Sequence, residues 1–178
     1  MNTAAGLLRQ TPLFASGVRQ VAVPAAARAI TTLSRVDYEE TFLVETSAAQ
    51  DRTGEEWARA VLERSPGIMR LALPLGWFAL GLEIGSPIRS EHRVLGWEIR
   101  RSTPDFALLG ADSRLGLAGE LLFMRQENTL LFAAFLKQEN SIARSAWARI
   151  APGHRRVVRY LLKQVHQGTT ATVDGSHR

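Results

Sequence analysis

Two side chains have the type and setting for proton transfer. His154 opens an apolar stripe near the C-terminus, and Glu120 interrupts an apolar run just ahead of Leu121, Leu122 and Phe123. Histidine titrates near neutral pH and serves as acid or base. The same ring packed on a sheet and bonded to a carbonyl would instead only fix a helix start. A Glu120 that points inward would be desolvated and available as an acid or base; pointing outward, it is solvated or paired with an arginine. Strand alternation does not choose between these, because both faces of residues 117–124 are largely apolar.

Arg100, Arg114 and Arg125 lie on or beside the same runs and offer bidentate forks for a ligand carboxylate or phosphate. Trp97, Phe106, Phe123, Phe132 and Phe135, with Val158 and Leu161 from the C-terminal stripe, are candidate walls of an apolar pocket. Other chemistries lack their residues. The chain has no cysteine, so thiol catalysis and Cys-ligated metals are excluded. His92, His154, His166 and His177 are scattered, without HxxxH or HExxH spacing. No GxSxG elbow and no phosphate loop is present. No metal and no cofactor is expected.

The elements that must position these residues are legible from periodicity. Residues 38–46 read as a first strand, rich in Tyr, Thr, Phe and Val. Thr53-Gly54-Glu55-Glu56 matches a capping box and opens a helix with Trp57, Ala60, Val61 and Arg64 on one face. Ser65-Pro66 predicts a second helix, with Ile68, Leu71, Ala72 and Leu75 as its apolar side. Four runs separated by turn residues then read as an antiparallel meander: 94–101, 106–110, 117–125 and 129–138. Finally His154, Val157, Val158, Leu161, Leu162 and Val165 recur at helical spacing, opposite Arg155, Arg156, Arg159 and Lys163, with Pro152 placed at the helix start.

The order of a strand, two short helices, antiparallel strands and a long C-terminal helix resembles the helix-grip architecture of START-like (Bet v 1-like, SRPBCC) proteins. The runs Leu95-Gly96-Trp97-Glu98-Ile99, Phe106-Ala107-Leu108-Leu109 and Gly119-Glu120-Leu121-Leu122-Phe123 are similar to those of one bacterial SRPBCC-like family of unassigned activity. So is the pattern of Trp147, Pro152, His154-Arg155 and Val157-Val158. Members of that family also occur fused to short-chain-dehydrogenase-like domains, but no GxGxxG loop stands here. The resemblance covers about half the chain and implies an α+β fold, with a curved antiparallel sheet around the last helix and a cavity between them. It departs from the pattern in showing four strands after the helices where the superfamily usually supplies six, unless residues 83–92 hold another. Gly153 also stands where the family tends to place an aromatic.

Length and composition agree with one globular domain: 178 residues, 46% hydrophobic and 22% charged. The net charge of +5 is uneven. Residues 1–36 carry four arginines and no acid, residues 37–140 hold 11 basic against 16 acidic groups, and residues 141–178 hold seven basic groups against Asp174. Residues 1–34 therefore read as a flexible or loosely docked extension, 35–168 as the domain and 169–178 as a disordered tail. Of the 22 cations 20 are arginine, an Ala-, Leu- and Gly-rich bias that points to a GC-rich bacterial genome more than to nucleic acid, for which no motif is present. The longest apolar run, Leu71–Leu82, is too short to span a bilayer. The expectation is a cytoplasmic domain binding a hydrophobic or aromatic small molecule. An alternative is a cyclase- or isomerase-type enzyme using Glu120 or His154, and a third is a basic module for an acidic partner or membrane surface. A homodimer through the apolar faces of Leu130–Leu136 is open, and the N-terminal extension covering that face is equally so.

Overall fold

The computed structural model describes residues 17–174, with side chains through Val165. Residues 1–16 of the expected extension and residues 175–178 of the expected tail lie outside the described residues, as do the side chains of His166 and His177. The fold is α+β: a seven-stranded, fully antiparallel, curved sheet with a long C-terminal helix. Its strands are β1 (Val18–Val21), β2 (Tyr38–Glu45), β3 (Arg93–Val94), β4 (Trp97–Ser102), β5 (Phe106–Ala111), β6 (Leu117–Gln126) and β7 (Thr129–Gln138), in the order β1-β2-β7-β6-β5-β4-β3.

Three differences from the sequence expectations bear on the site. The first concerns residues 17–34, which are built into the domain. β1 adds an edge to β2, and the short helix α1 (Ala25–Arg28) leads into a segment that lies on the outer face of the sheet. There Ala27, Ile30 and Leu33 pack on Leu122, Leu131 and Phe135. The outer face of Leu130–Leu136, open to self-association on sequence grounds, is thereby covered by the chain itself. An edge strand of four residues has too little alternation to be read without its partner.

The second is the run 94–101, which is broken by a two-residue turn. Leu95 and Gly96 both take positive φ, at 47° and 92°, and Val94 pairs with Trp97 across them. Two positive φ values in a two-residue loop match the twist of a tight hairpin. The third is the last helix, α4 (Ser141–Asp174), which starts well before Pro152 and runs past Gly168. Asn140 caps it, its Oδ1 accepting from Ala143 N at 2.7 Å. Pro152 sits inside the helix on its exposed side.

The inner face of the sheet carries the other helices. α2 (Gly54–Leu62) begins with the expected capping box: Thr53 Oγ1 accepts from Glu56 N, and Thr53 N donates to Glu56 Oε2 at 2.8 Å. α3 (Gly67–Ala79) is rotated relative to expectation. Leu73, Trp77 and Leu80 face inward, while Ile68, Leu71, Ala72 and Leu75 face solvent. The segment is apolar all round, so periodicity could not choose a face. Trp77, the largest side chain, is the buried one, edge-on to Trp97 at 5.3 Å. No helix among the described residues is long and apolar enough to cross a membrane.

Candidate functional site

Strand parity decides which side chains meet the helices. In β7, Leu130, Phe132, Ala134 and Leu136 face inward, opposite Val44, Phe42, Glu40 and Tyr38 of β2. The same parity brings Leu117, Gly119, Leu121 and Phe123 of β6 inward. Between this face and α2, α3 and α4 lies an apolar cavity of about 60 Å³. Trp97, Leu121, Phe132 and Ala134 form its sheet side, with Trp77 from α3 and Leu161 from α4 among the facing walls. Its volume corresponds to about two water molecules, whereas ligand pockets run to roughly 300–1,000 Å³.

Among the described residues, His154 is the only titratable side chain in the lining. Its Nδ1 lies 2.8 Å from Oε1 of Glu40, a close contact that lacks the alignment of a directed hydrogen bond. Glu40 is 3% exposed, and its other oxygen accepts from Tyr38 Oη at 2.6 Å. Burial first, and then the neighbouring Glu40 carboxylate, push the Tyr38 hydroxyl up to about 12, against the opposing effect of Arg155. Trp147 packs edge-on to His154 at 5.0 Å and to Tyr38 at 5.2 Å. The indole N–H groups of Trp97 and Trp147, two of the lining residues, are buried without a hydrogen-bond partner among the described residues.

The expected site residues divide between the two faces of the sheet. Trp97, Phe132, Val158, Leu161 and His154 meet at the cavity. Phe123 faces inward and packs edge-on to Phe132 at 5.2 Å without lining it. Glu120, Arg100 and Phe106 are on the outer face, as is Phe135, so none of them reaches the cavity. Glu120 is nonetheless fully buried, under the N-terminal segment. It accepts from Thr31 Oγ1 and Thr32 Oγ1, from Thr32 N at 3.0 Å and from Arg100 Nη1 at 2.9 Å.

Arg100 reaches Glu120 through two features of its neighbours. A bulge between Ile99 and Arg101 changes the strand's parity and leaves Arg101 paired with outer-face Leu108. Gly110, paired with Glu120, leaves the space that the guanidinium crosses, since a Cβ there would fall 2.0 Å from Arg100 Nε. Burial lowers the Arg100 pKa, but the Glu120 and Asp112 carboxylates outweigh it and the net direction is up. Arg114 and Arg125 form partly exposed pairs with Glu83 and Asp105 away from the cavity.

Glu40 is the site residue that the motifs and apolar runs do not point to, although the sequence carries a signal for it. It alternates with Phe42 and Val44, so a strand that buries those two must turn Glu40 to the same side. Among the described residues, no group of three His, Asp or Glu is placed to hold a metal ion. Compared with protein-family models, with curated proteins and with solved structures, the chain finds no match.

Proposed function

We propose that the chain is a helix-grip domain that binds an apolar small molecule carrying a hydrogen-bond-accepting oxygen, between the sheet and α4. The observation that carries this reading is that two of the residues lining an otherwise apolar cavity beside His154, Trp97 and Trp147, have buried indole N–H groups without a partner among the described residues. A buried donor without a partner costs about 1–3 kcal/mol, and a carbonyl or ether oxygen would relieve that cost. At about 60 Å³ the cavity is too small for a ligand of a few hundred daltons, so binding requires α3 to move outward. Trp77 is the one buried residue of α3, so its attachment is slight.

The test is native mass spectrometry of the purified full chain, joined to a titration with prodan, a naphthyl ketone whose emission shifts on leaving water. The expected results are a non-covalent adduct lost on denaturation and saturable prodan binding. Trp97→Phe and Trp147→Phe keep an aromatic ring, though a smaller one, and remove the donor, and each should weaken prodan about 5- to 10-fold, the worth of one net hydrogen bond. A clean apo mass with no saturable prodan binding refutes the reading.

A second reading is favoured by the Glu40–His154 contact: an enzyme of the isomerase or cyclase kind, with His154 as general acid/base oriented by Glu40. Glu120 has no part in it, being on the other face of the sheet. With a captured ligand in hand, His154→Gln should abolish turnover while affinity holds within a few-fold. A carrier has no turnover to lose.

A further inference from the structure

The solvent face of α3 is unlike the rest of the surface. Ile68, Leu71, Leu75 and Phe78 are 69–78% exposed, and their spacing of three, four and three places them in one stripe along the helix. Ile88, 77% exposed, adds to the same exposed apolar set from the loop after the helix. Leu71 also lines an open groove of about 570 Å³, walled by Arg52, Arg59, Arg64, Arg70 and Arg89. Of the two acids of that groove, Glu63 pairs with Arg59 of the same wall at 2.9 Å, and Glu56 closes the capping box while feeling the charges of Arg52 and Arg64. Arg52, Arg64, Arg70 and Arg89 have no carboxylate within ion-pair distance among the described residues, although Arg52 lies over the Trp57 ring. An apolar helix face continuous with a groove in which arginines outnumber acids is complementary to a surface that is anionic at its rim and apolar beneath.

We propose that this face docks on an anionic phospholipid surface, with the Ile68–Phe78 stripe entering the headgroup layer and the arginine groove taking lipid phosphate. A helix of this kind lies in the interface plane, held by buried apolar area and by attraction to anionic headgroups. Arginine suits the groove, because its planar fork binds phosphate oxygens bidentately. An acidic protein would answer the arginines but has no need of four exposed apolar side chains on an adjoining helix. The proposal does not rest on the cavity reading. If both hold, the helix that covers the cavity is also the one that faces lipid.

The experiment is co-sedimentation of the full chain with vesicles of phosphatidylcholine alone and of phosphatidylcholine mixed equally with phosphatidylglycerol. Binding is expected to the mixed vesicles only, and to weaken as salt is raised. Arg70→Gln/Arg89→Gln should lower partitioning about 25-fold, on the basis of roughly fivefold per cation near an anionic surface. Leu71→Ser/Phe78→Ser should lower it at least about tenfold by loss of inserted apolar area. All four positions are exposed, and circular dichroism verifies that each variant keeps its fold. Three outcomes overturn the proposal: no vesicle binding at low salt; equal binding by both double variants and the wild type, which would assign it to another part of the chain; or a dimer in solution that Leu71→Ser/Phe78→Ser dissolves, which would make a second copy the occupant.

Discussion

Glu120 is the residue whose sequence context most invites a catalytic assignment, and its surroundings predict a structural one that can be measured. Its carboxylate is fully buried on the outer face, with Arg100 as its one cationic partner and Thr31 and Thr32 as further donors. Removing one member of a buried pair strands the other charge, at a cost of about 3–5 kcal/mol. The threonine donors remain, so Arg100→Met should fall near the lower end, at about 3 kcal/mol. The other carboxylate partner of Arg100 is Asp112, at 2.7 Å but 74% exposed, so Asp112→Asn should cost less than about 1 kcal/mol.

Arg100→Met/Glu120→Leu removes both charges together and should be less damaging than Arg100→Met alone. Urea unfolding monitored by circular dichroism gives all three values, with hydrogen exchange of residues 23–36 as the local readout. That segment should lose protection in Arg100→Met, because Thr31 and Thr32 tie it to the same carboxylate. If Arg100→Met costs no more than Asp112→Asn, the pair is not what holds Glu120 in place and the reasoning fails. Glu120→Gln that abolishes prodan binding while leaving stability intact would equally refute a structural role.

Single contacts have further measurable consequences. Tyr38 is raised in the folded protein from 10.0 to about 12, so the stability it contributes is complete below pH 10 and is lost as pH rises through about 12. After discounting for partial exposure, the gap between wild type and Tyr38→Phe should narrow by about 1–2 kcal/mol across that window in alkaline urea melts. Glu39 is lowered from 4.5, chiefly by the hydrogen bond from Arg28. The advantage of wild type over Arg28→Gln should therefore be present above that pH and close as pH falls through the lowered value, read by acid titration of the melts. Thr53→Ala removes the capping box and should cost about 1 kcal/mol, or the helix start is held by something else. Leu161→Ala should cost about 2–5 kcal/mol and enlarge the cavity, which xenon binding would report.

The sequence was most legible where period and burial agreed. Val158, Leu161 and Leu162 are buried, with His154 and Val157 at the edge of the same stripe, as their spacing requires. The long hairpin of β6 and β7 falls at its turn residues, and α2 starts at its capping box. Legibility failed where both sides of an element are apolar. In α3 it left the choice of face to the bulk of Trp77. In β6 it hid the side of Glu120, because the outer face is also a core, sealed by a segment nearly a hundred residues away in the chain. The bulge at Arg100 has no compositional mark, and it reverses the parity of the strand beyond it. Glu40 is the opposite case, since its neighbours two and four residues on are enough to place it.

The uneven charge, which on composition suggested a GC-rich genome, an acidic partner or a membrane surface, has a partial explanation within the fold. Of the four arginines in the first 36 residues, Arg19 pairs with Glu45, Arg28 with Glu39 and Arg35 with Asp37, all three acids lying on β2 or beside its start. On the basic C-terminal helix, Arg155 donates to Tyr38 Oη at 3.4 Å, and Arg159 donates to Gln20 and covers the Phe42 ring. The excess positive charge of the N-terminal end is thus partly met by the acidic middle of the chain, whereas Arg155 and Arg159 of α4 meet neutral groups, and part of the asymmetry marks which segments dock on which. Cations left over after this internal matching are more informative than the total. Arg64, Arg70 and Arg89 are such a remainder, and they stand together beside the exposed apolar stripe of α3. An arginine held by a carboxylate on its own chain has little left to offer a surface. None of these three has a carboxylate within ion-pair distance among the described residues, which makes Arg70→Gln/Arg89→Gln a sharper probe of partner binding than a change in net charge made at a paired arginine.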